Sequence, residues 1–393
     1  MTNHVLIAGG GIAGLATALA LGQRDIGVTV LERRGAFEEI GAGIQLAPNA
    51  FAALDKLGVA GQVLERASSV DALRLVDATL GQTIAELDLS TRFRTRFTYP
   101  YAVVHRADIH NVLLAACHAL PQITLRPNNQ VERYSLLDDG VEVALSDGSR
   151  LRGQCLIGAD GLHSIVRGQV ANDGEPRLCG HTTYRAVVSA KDMPAHLRGN
   201  HVQLWAGPKC HFVHYPISGG ASYNLVVTKD NDAQELLSGR SLSANEVSLQ
   251  FEEIVPECRA LIFASSHWKA WTLADREPLE RWSDGPVGLV GDAAHPMVQY
   301  AAQGACMALE DAVALGELCH LGTWPQIWSQ FTLQRSERTA RVQRTARLMG
   351  KEVYHPCGSA AAARNALFAT LSEKEMHDQL AWLYDGSQTE VCL

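Results

Sequence analysis

Hydrophobic and polar positions at the start of the chain follow the order strand, helix, strand. Apolar residues 4–8 predict a buried strand, and the apolar-rich stretch that reaches about Gln23 predicts a helix. Residues 28–31 form a second apolar run, which predicts another strand that ends at Glu32. This order is typical of the first unit of an open α/β sheet with parallel strands.

Two later apolar runs also end on acidic residues. Residues 155–158 lead into Asp160, and residues 287–290 lead into Asp292. Open α/β sheets bind ligands at the carboxyl ends of their strands, so both junctions are candidate ligand-binding sites. Taken alone, each junction fits an ordinary turn between a strand and a loop equally well.

In the middle of the chain the pattern changes to short segments. Such segments, separated by Gly, Pro, Asp and Asn, lie at residues 184–189, 201–205, 211–215 and 224–228. They predict an antiparallel sheet inserted into the nucleotide-binding domain. A helical pattern follows, and its first helix is expected to begin near Pro296 or shortly after Gln303.

The composition indicates a globular protein that does not bind nucleic acid. Apolar residues make up 47% of the chain and charged residues 19%, which excludes the collagen-like, coiled-coil and disordered classes. Lys and Arg total 34 against 42 Asp and Glu, and the net charge of -8 repels a polyphosphate backbone. The nine cysteines contain no C-x-x-C pair for zinc or dithiol chemistry. Because no leader pattern or membrane-length apolar run is present, we expect a soluble cytoplasmic protein with reduced thiols.

The glycines after the first strand have the spacing that dinucleotide binding requires. Gly9, Gly11 and Gly14 form a G-x-G-x-x-G motif, and Glu32 follows the central glycine by 21 residues. Gly9 permits a tight turn, Gly11 lets a pyrophosphate approach the backbone, and Gly14 lets helix and strand pack closely. The pyrophosphate would lie at the positive end of the helix, and Glu32 would bind the adenosine ribose. These features alone fit a nicotinamide-dependent dehydrogenase equally well.

One polar strand face in the inserted sheet is a candidate catalytic surface. Because side chains alternate along a strand, His211, Val213 and Tyr215 should project from one face, and Phe212 and His214 from the other. The first face would offer a base and a phenol beside an apolar floor. An isolated histidine on a strand is usually structural, so the pattern alone does not assign catalysis.

Three motifs taken together resemble the fingerprints of single-component FAD-dependent aromatic hydroxylases, which have the fold of 4-hydroxybenzoate hydroxylase. They are the glycine motif of residues 9–14, D-G-x-x-S-x-x-R at 160–167 and G-D at 291–292. Their order and separations match the family along essentially the whole chain. The segments HRADIH (105–110), GPKCHFVHYP (207–216) and the stretch 291–312 resemble the members that convert 3-hydroxybenzoate to gentisate.

The resemblance implies an α/β fold in three parts. A Rossmann-like FAD-binding domain would be joined by an inserted antiparallel β-sheet substrate domain and a C-terminal helical region. The expected ranges are 1–70, 100–178 and 278–345 for the FAD-binding domain, 71–99 and 179–277 for the substrate domain, and 346–393 for the helical region.

The same resemblance implies how FAD is held. Gly9, Gly11, Gly14 and Glu32 would bind the adenosine half, as the glycine motif already predicts. Arg106 would reach the cofactor phosphates or the ribityl chain, and Asp292 would bind the ribityl hydroxyls. Asp160 would serve both the placement of FAD and the approach of the nicotinamide.

The helix that begins after Gln303 would bring Gly304 and Ala305 to the flavin. Its positive end would stabilise the anionic reduced form. NADH and dioxygen are the expected co-substrates. Because the chain has one glycine-rich dinucleotide turn, the nicotinamide would dock only transiently.

For the substrate, the resemblance implies that His211 acts as the general base that activates a phenol toward a flavin hydroperoxide. Tyr215 and Gln299 would bind the substrate carboxylate through neutral donors. Residues 207–216 lack the arginine that reads the acid group in 4-hydroxybenzoate hydroxylases. This absence favours the 3-hydroxy isomer, hydroxylated para to its phenol, and leaves salicylate and 6-hydroxynicotinate open.

Two other classes of protein stay open at this point. A dehydrogenase would need no dioxygen, and a flavin-carrying sensor would bind FAD without substrate-stimulated NADH oxidation. For the assembly, a homodimer is the expectation.

Overall fold

The computed structural model describes residues 4–39 and 42–385. Within these ranges the strands and helices follow the expected order of an α/β protein with an inserted sheet. The strands are β1 (His4–Ala8), β2 (Gly27–Leu31), β3 (Gly43–Leu46), β4 (Ser68–Ser69), β5 (Ala72–Asp77), β6 (Thr83–Asp88), β7 (Ala102–His105), β8 (Ile123–Arg126), β9 (Val131–Leu137), β10 (Gly140–Leu145), β11 (Arg150–Gly153), β12 (Cys155–Gly158), β13 (Arg177–Ser189), β14 (His201–Gly207), β15 (Cys210–Ile217), β16 (Ser222–Ala233), β17 (Ser238–Ser243), β18 (His267–Asp275), β19 (Ser283–Asp284) and β20 (Val287–Leu289).

The helices lie mostly beside the first sheet and at the end of the chain. They are α1 (Ile12–Gly22), α2 (Pro48–Lys56), α3 (Ala60–Leu64), α4 (Thr91–Phe97), α5 (Arg106–His118), α6 (Ile165–Ala171), α7 (Ala244–Ser248), α8 (Pro256–Phe263), α9 (Gly304–Leu318), α10 (Trp324–Leu348), α11 (Gly358–Thr370) and α12 (Glu373–Tyr384). A π-helical turn, Met349–Tyr354, continues α10. In the described ranges, no helix has both the length and the apolar character needed to cross a membrane.

The first sheet has six strands in the order β19-β20-β12-β1-β2-β8. Its strands are parallel except for the edge pair β19 and β20. Val5, Leu6 and Ile7 of β1 are at most 1% exposed. This near-continuous burial is expected of a parallel sheet that is covered on both faces, and it explains why the strands appear in the sequence as uninterrupted apolar runs.

The inserted sheet has eight strands in the order β17-β18-β13-β16-β15-β14-β5-β6. Neighbouring strands pair antiparallel, except for the parallel pair β14 and β5. One face packs on a second hydrophobic core that includes Phe212, Phe251 and Trp268. The other face is turned toward the first domain and forms one wall of the site described below.

The predicted fold class is confirmed: a Rossmann-like parallel sheet, an inserted antiparallel sheet and C-terminal helices are all present. Smaller antiparallel sheets, β9-β10-β11 and β3-β7-β4, flank the first sheet. The observed strand ends differ from the predicted ones; β13, for example, begins seven residues before the predicted start at residue 184. The helix predicted to start after Gln303 begins at Gly304. The proposed division into domains stays a prediction.

Candidate active site

One cavity of about 930 Å³ runs from the glycine loop after β1 to the inner face of the inserted sheet. Its lining includes every predicted site residue except Gly14. These residues are Gly9, Gly11, Glu32, Arg106, Asp160, His211, Tyr215, Asp292, Gln299, Gly304 and Ala305. We call the part beside the glycine loop, Glu32 and Asp292 the cofactor end, and the part beside His211 and Tyr215 the substrate end.

The glycine loop closes tightly over the end of β1. Gly9 has φ of +106°, a conformation that side chains other than glycine rarely adopt, and its N–H donates to the carbonyl of Leu31 at 2.8 Å. A Cβ atom built on Gly14 would lie 1.9 Å from the Gly9 carbonyl oxygen. Gly14 therefore lets α1 pack against the loop, and it supports the cavity without lining it.

Glu32 and a histidine of α5 hold the same loop from two sides. One carboxylate oxygen of Glu32 accepts from the Gly10 N–H at 2.9 Å, and the other accepts from the Arg34 N–H at 2.9 Å. Nε2 of buried His110 donates to the Gly10 carbonyl at 2.8 Å. Sequence reasoning missed His110 as a positioning residue, although it belongs to the HRADIH segment.

Two helices begin at the cavity, α1 beside the glycine loop and α9 beside Asp292. Neither has an acidic residue in its first turn, so the positive ends of both helices remain available to an anionic ligand. A Cβ built on Gly304 would lie 3.8 Å from a carboxylate oxygen of Asp292. Asp292 and the start of this helix therefore lie next to each other in space.

Arg106 stands at the start of α5, between the two helix ends. Its guanidinium donates to Glu39 at 3.0 Å, and its Nε is buried with no partner among the described residues. Positive helix ends, an arginine with an unused donor and a glycine loop with no side chains fit an extended dinucleotide such as FAD.

Asp160 lines the cavity, but its carboxylate is used by α6. Ser164 donates its hydroxyl to one carboxylate oxygen, and the N–H of Ile165 donates to the other at 2.8 Å. Burial raises the pKa of Asp160, and these donors oppose the shift. The carboxylate that was predicted to serve FAD and the nicotinamide thus acts here as a helix cap.

Arg167, at the end of the same motif, links it to the loop that carries Asp292. The side chain is 1% exposed and donates to the carbonyls of Ala293 and Ala294 at 3.1 and 2.8 Å. Two motifs that are more than 100 residues apart therefore support one edge of the cavity.

At the substrate end, the predicted alternation along β15 is confirmed. His211, Val213 and Tyr215 line the cavity. His214 faces away and donates from Nε2 to the carbonyl of Leu197 at 3.2 Å, while Phe212 packs in the second hydrophobic core. The strand thus separates a face that lines the cavity from a face that packs inside the inserted domain.

His211 is held by residues from the π-helical turn and its end. Nδ1 of His211 lies 2.7 Å from Nε2 of His355, and the ring of Tyr354 packs 5.3 Å from the His211 ring. Burial, followed by the neighbouring His355 and His181, holds the pKa of His211 well below its ordinary value. His211 is therefore a neutral imidazole at physiological pH, and its Nδ1 is engaged by His355.

Besides the predicted neutral donors Tyr215 and Gln299, an arginine also lines the substrate end. Arg185 on β13 lies directly across β16 from Val213, through Val226, and lines the cavity. It forms no ion pair with a carboxylate of the described chain, and burial lowers the pKa of its guanidinium. The arginine escaped prediction because it comes from a strand outside the pocket segment and reaches the pocket only through strand register.

Gln299 holds this arginine in place. Its amide oxygen accepts from Arg185 at 2.6 Å, and its amide nitrogen donates to the hydroxyls of Thr183 and Thr228 at 3.2 and 3.1 Å. All of its polar hydrogens are thus engaged by the protein. In this arrangement Gln299 positions Arg185, and its direct contact with the substrate carboxylate stays a prediction.

Fold and site together define an FAD-binding flavoprotein. The family model described as FAD binding domain matches residues 2–321, which is most of the chain. The chain belongs to this FAD binding domain family, and the family predicted from the three motifs is confirmed.

Within this family, the similarity to characterised hydroxylases covers the full length. The chain is 45% identical to 3-hydroxybenzoate 6-hydroxylase 1 of Aquipseudomonas alcaligenes, over 99% of both chains. It is 30% identical to 6-hydroxynicotinate 3-monooxygenase of Bordetella bronchiseptica, over 87% of this chain and 90% of that protein. A salicylate hydroxylase substrate complex superposes with a TM-score of 0.82 at 23% identity, over 99% of this chain and 98% of that one, which shows the shared fold.

Proposed function

We propose that this protein hydroxylates 3-hydroxybenzoate at position 6, para to the phenol, and so forms gentisate with bound FAD, NADH and dioxygen. The observation that carries the proposal is the single cavity that joins a dinucleotide-binding loop to His211, Tyr215 and Arg185. The full-length similarity to 3-hydroxybenzoate 6-hydroxylase 1 supports the choice of substrate.

FAD supplies the redox chemistry when it is bound, because it accepts a hydride from NADH and activates dioxygen. Gly9, Gly11 and the start of α1 would hold the pyrophosphate, and Glu32 the adenosine ribose. Arg106 would reach the phosphates or the ribityl chain, and Asp292 the ribityl hydroxyls. The start of α9, at Gly304 and Ala305, would place its positive end against the flavin ring.

Three side chains would bind and activate the aromatic acid. Arg185, held by Gln299, would form a charge-assisted pair with the carboxylate, and Tyr215, two strands away on β15, would support that pair. His211 would take the phenol proton at Nε2, because Nδ1 is already bonded to His355. Removal of this proton raises the electron density at the carbon para to the oxygen, where hydroxylation is expected.

The remaining expectations concern the other partners. Asp160 would act on FAD and the nicotinamide through the loop that its carboxylate holds at the start of α6. NADH as the reductant, a homodimer and a cytoplasmic location stay predictions.

The decisive experiment is a substrate panel on the purified protein with its FAD. The 2-, 3- and 4-hydroxybenzoates and 6-hydroxynicotinate are each incubated with NADH in air, and the products are identified by chromatography and mass spectrometry. We expect gentisate from 3-hydroxybenzoate, with NADH oxidation accelerated about tenfold or more by this substrate. Because hydroxylation of 2-hydroxybenzoate can also form gentisate, a faster reaction with that isomer would overturn the proposal. Protein that cannot be loaded with FAD would overturn it as well.

A further inference from the structure

Behind His211, two more histidines lie in line toward the protein surface. Nδ1 of His211 and Nε2 of His355 are 2.7 Å apart, and their rings are stacked with centroids 5.0 Å apart. The His355 ring in turn lies 5.1 Å from the ring of His181 on β13, at 70° to it. The three imidazoles therefore form a continuous row that starts at the substrate end of the cavity.

The far end of this row borders a cleft other than the main cavity. His181 borders a second cleft of about 270 Å³, which also includes Arg177, Asp275 and Arg347. Val298 and Tyr300 line both this cleft and the main cavity, and they separate the two. A path along the histidines thus leads from the buried site to solvent without passing the substrate or the cofactor.

His181, the outermost histidine of the row, lies beside the carboxylate of Asp230. Nε2 of His181 lies 3.9 Å from a carboxylate oxygen of Asp230, which is partly exposed. One ligand atom from each of His181, Asp230 and His355 lies within 4.8 Å of the others, a separation that one water molecule bridges. Nδ1 of His355 is buried and has no partner in the described protein, as expected for an atom that passes a proton onward.

The environment of His211 makes such an outlet necessary. The groups that face it are His355, His181 and the rings of Tyr300 and Tyr354, and none of them is a carboxylate. A proton left on His211 would therefore be a buried charge that no carboxylate of the described chain stabilises. His355 does not retain it either, since burial, His181 and Lys229 lower its pKa to about 3.

Charged side chains on both sides of the two outer histidines set the direction in which a proton would move. Lys229 acts on His355, and Lys209 acts on His181, and both lower the pKa of the imidazole that they face. Asp230 and Asp232 have the opposite effect and favour a positive charge on His181, so a proton is drawn outward from His355 toward the His181–Asp230 pair. The cluster is thus arranged to pass a positive charge onward.

We propose that His355 and His181 form a proton relay that carries the substrate's phenol proton from His211 to the second cleft. The O–H bond of the phenol breaks as an N–H bond forms at Nε2 of His211. The proton on Nδ1 of His211 moves to Nε2 of His355, and the proton on Nδ1 of His355 leaves for the His181–Asp230 pair, directly or through water. Solvent in the cleft then accepts one proton, and a phenolate and neutral His211 and His355 remain. The relay rests on the proposed function of His211, and His355 acts as a positioning and transfer residue.

The test follows proton release when 3-hydroxybenzoate is mixed rapidly with the oxidised holoenzyme in weak buffer that contains a pH-indicator dye. The original protein should release about one proton per bound substrate. In His355→Gln, release should slow about tenfold or more, with FAD content and substrate affinity nearly unchanged, because glutamine keeps a hydrogen bond to His211 but passes no proton. The slow rate should rise with pH, since hydroxide then removes the proton, and added imidazole should accelerate release in His355→Ala.

Two further variants complete the test. His181 lies near the surface, so His181→Gln should slow proton release less than His355→Gln. His214 lies on the opposite face of β15, so His214→Gln should release protons at the original rate. Release at the original rate in both His355→Gln and His181→Gln would overturn the relay. The relay would also be overturned if proton release in His355→Gln were slow but independent of pH, and if imidazole did not accelerate release in His355→Ala. His355 would then have a structural role only. Absence of gentisate with the unmodified protein would instead mean that the proposed function has failed.

Discussion

The two ends of the cavity are built from opposite kinds of polar groups. Behind the cofactor end, buried charges pair with one another in a network around Asp311. At the substrate end, buried imidazoles are neutral and Arg185 has no carboxylate partner in the described chain. The first arrangement fixes the backbone that holds a permanent ligand. The second leaves polar groups that gain a charged partner only when a transient ligand binds.

The network at the cofactor end is complete without a ligand. Asp311 accepts from the Gly291 N–H at 2.9 Å, from His295 at 2.6 Å and from Arg335 at 2.7 Å. Burial alone would raise the pKa of Asp311, but His295 and Arg335 outweigh it and lower the pKa. These bonds hold the loop that carries Asp292.

The largest expected effect comes from breaking this network with Asp311→Asn. The variant removes one of the two carboxylates that pair with buried Arg335, so that Glu310 alone remains, and breaking a buried ion pair in this way costs up to about 3–5 kcal/mol of the free energy of unfolding. Urea unfolding measures the loss, and flavin absorbance should show a parallel fall in FAD content. Asp378→Asn, which breaks an exposed pair with Lys374, is the control and should change neither quantity. Equal effects of the two variants would contradict the role of the network.

The second-largest effect is expected for His211→Ala, which should lower the rate of catalysis and leave the free energy of unfolding nearly unchanged. Without the base, the rate of gentisate formation should fall by a factor of about 10² to 10⁴. FAD should stay bound, and a larger share of the NADH consumed should appear as hydrogen peroxide. Product and peroxide are measured in the same reaction. An unchanged ratio of gentisate to NADH would remove His211 from the mechanism.

Arg185→Gln sharpens the comparison by removing the unpaired charge. The substrate Kd should rise by a factor of about 10 to 100, since a charge-assisted hydrogen bond contributes roughly 1.5–3 kcal/mol. Titration of 3-hydroxybenzoate by flavin difference absorbance gives the Kd. Arg240→Gln, on the exposed edge strand of the same sheet, is the matched control. If phenol, which has no carboxylate, lost as much affinity as 3-hydroxybenzoate, the pairing with the carboxylate would be excluded.

The smallest effect concerns pH and the neutral imidazoles. Burial lowers the pKa of His214 to about 3, so below the ordinary pKa of about 6.5 the unfolded chain takes up a proton that the folded chain does not. Stability should therefore fall as the pH falls through this window. His214→Gln removes one such group and should reduce the loss between pH 7 and 5.5 by about 1 kcal/mol. Urea unfolding at the two pH values measures the slope, and an unchanged slope would show that His214 is not neutral in the folded state.

Prediction from the sequence succeeded best at the cofactor end. Gly9, Gly11 and Glu32 belong to one local unit, so their spacing alone carries the geometry of the loop. Asp292 and the start of α9 at Gly304 were also predicted, since each marks the end or the start of an element. At the substrate end, the face of β15 that carries His211 and Tyr215 followed from the two-residue period of a strand.

The residues that sequence reasoning missed all reach the site across long separations. Arg185 comes from β13, and only the register of β13, β16 and β15 brings it beside Val213. His355 follows a π-helical turn 144 residues after His211. Gln299 was placed in the pocket correctly, but its role depends on three partners in the inserted sheet.

By itself, the sequence determined the order of strands and helices, the dinucleotide loop and the family, because these depend on the periods of neighbouring residues. Tertiary structure alone decided which buried charges are paired and which are not. Electrostatic interactions depend on distances of a few ångströms in the folded protein, and separation along the chain does not encode these distances. An arginine or a histidine can therefore be a structural partner at the cofactor end, whereas a residue of the same type at the substrate end has no charged partner in the described chain.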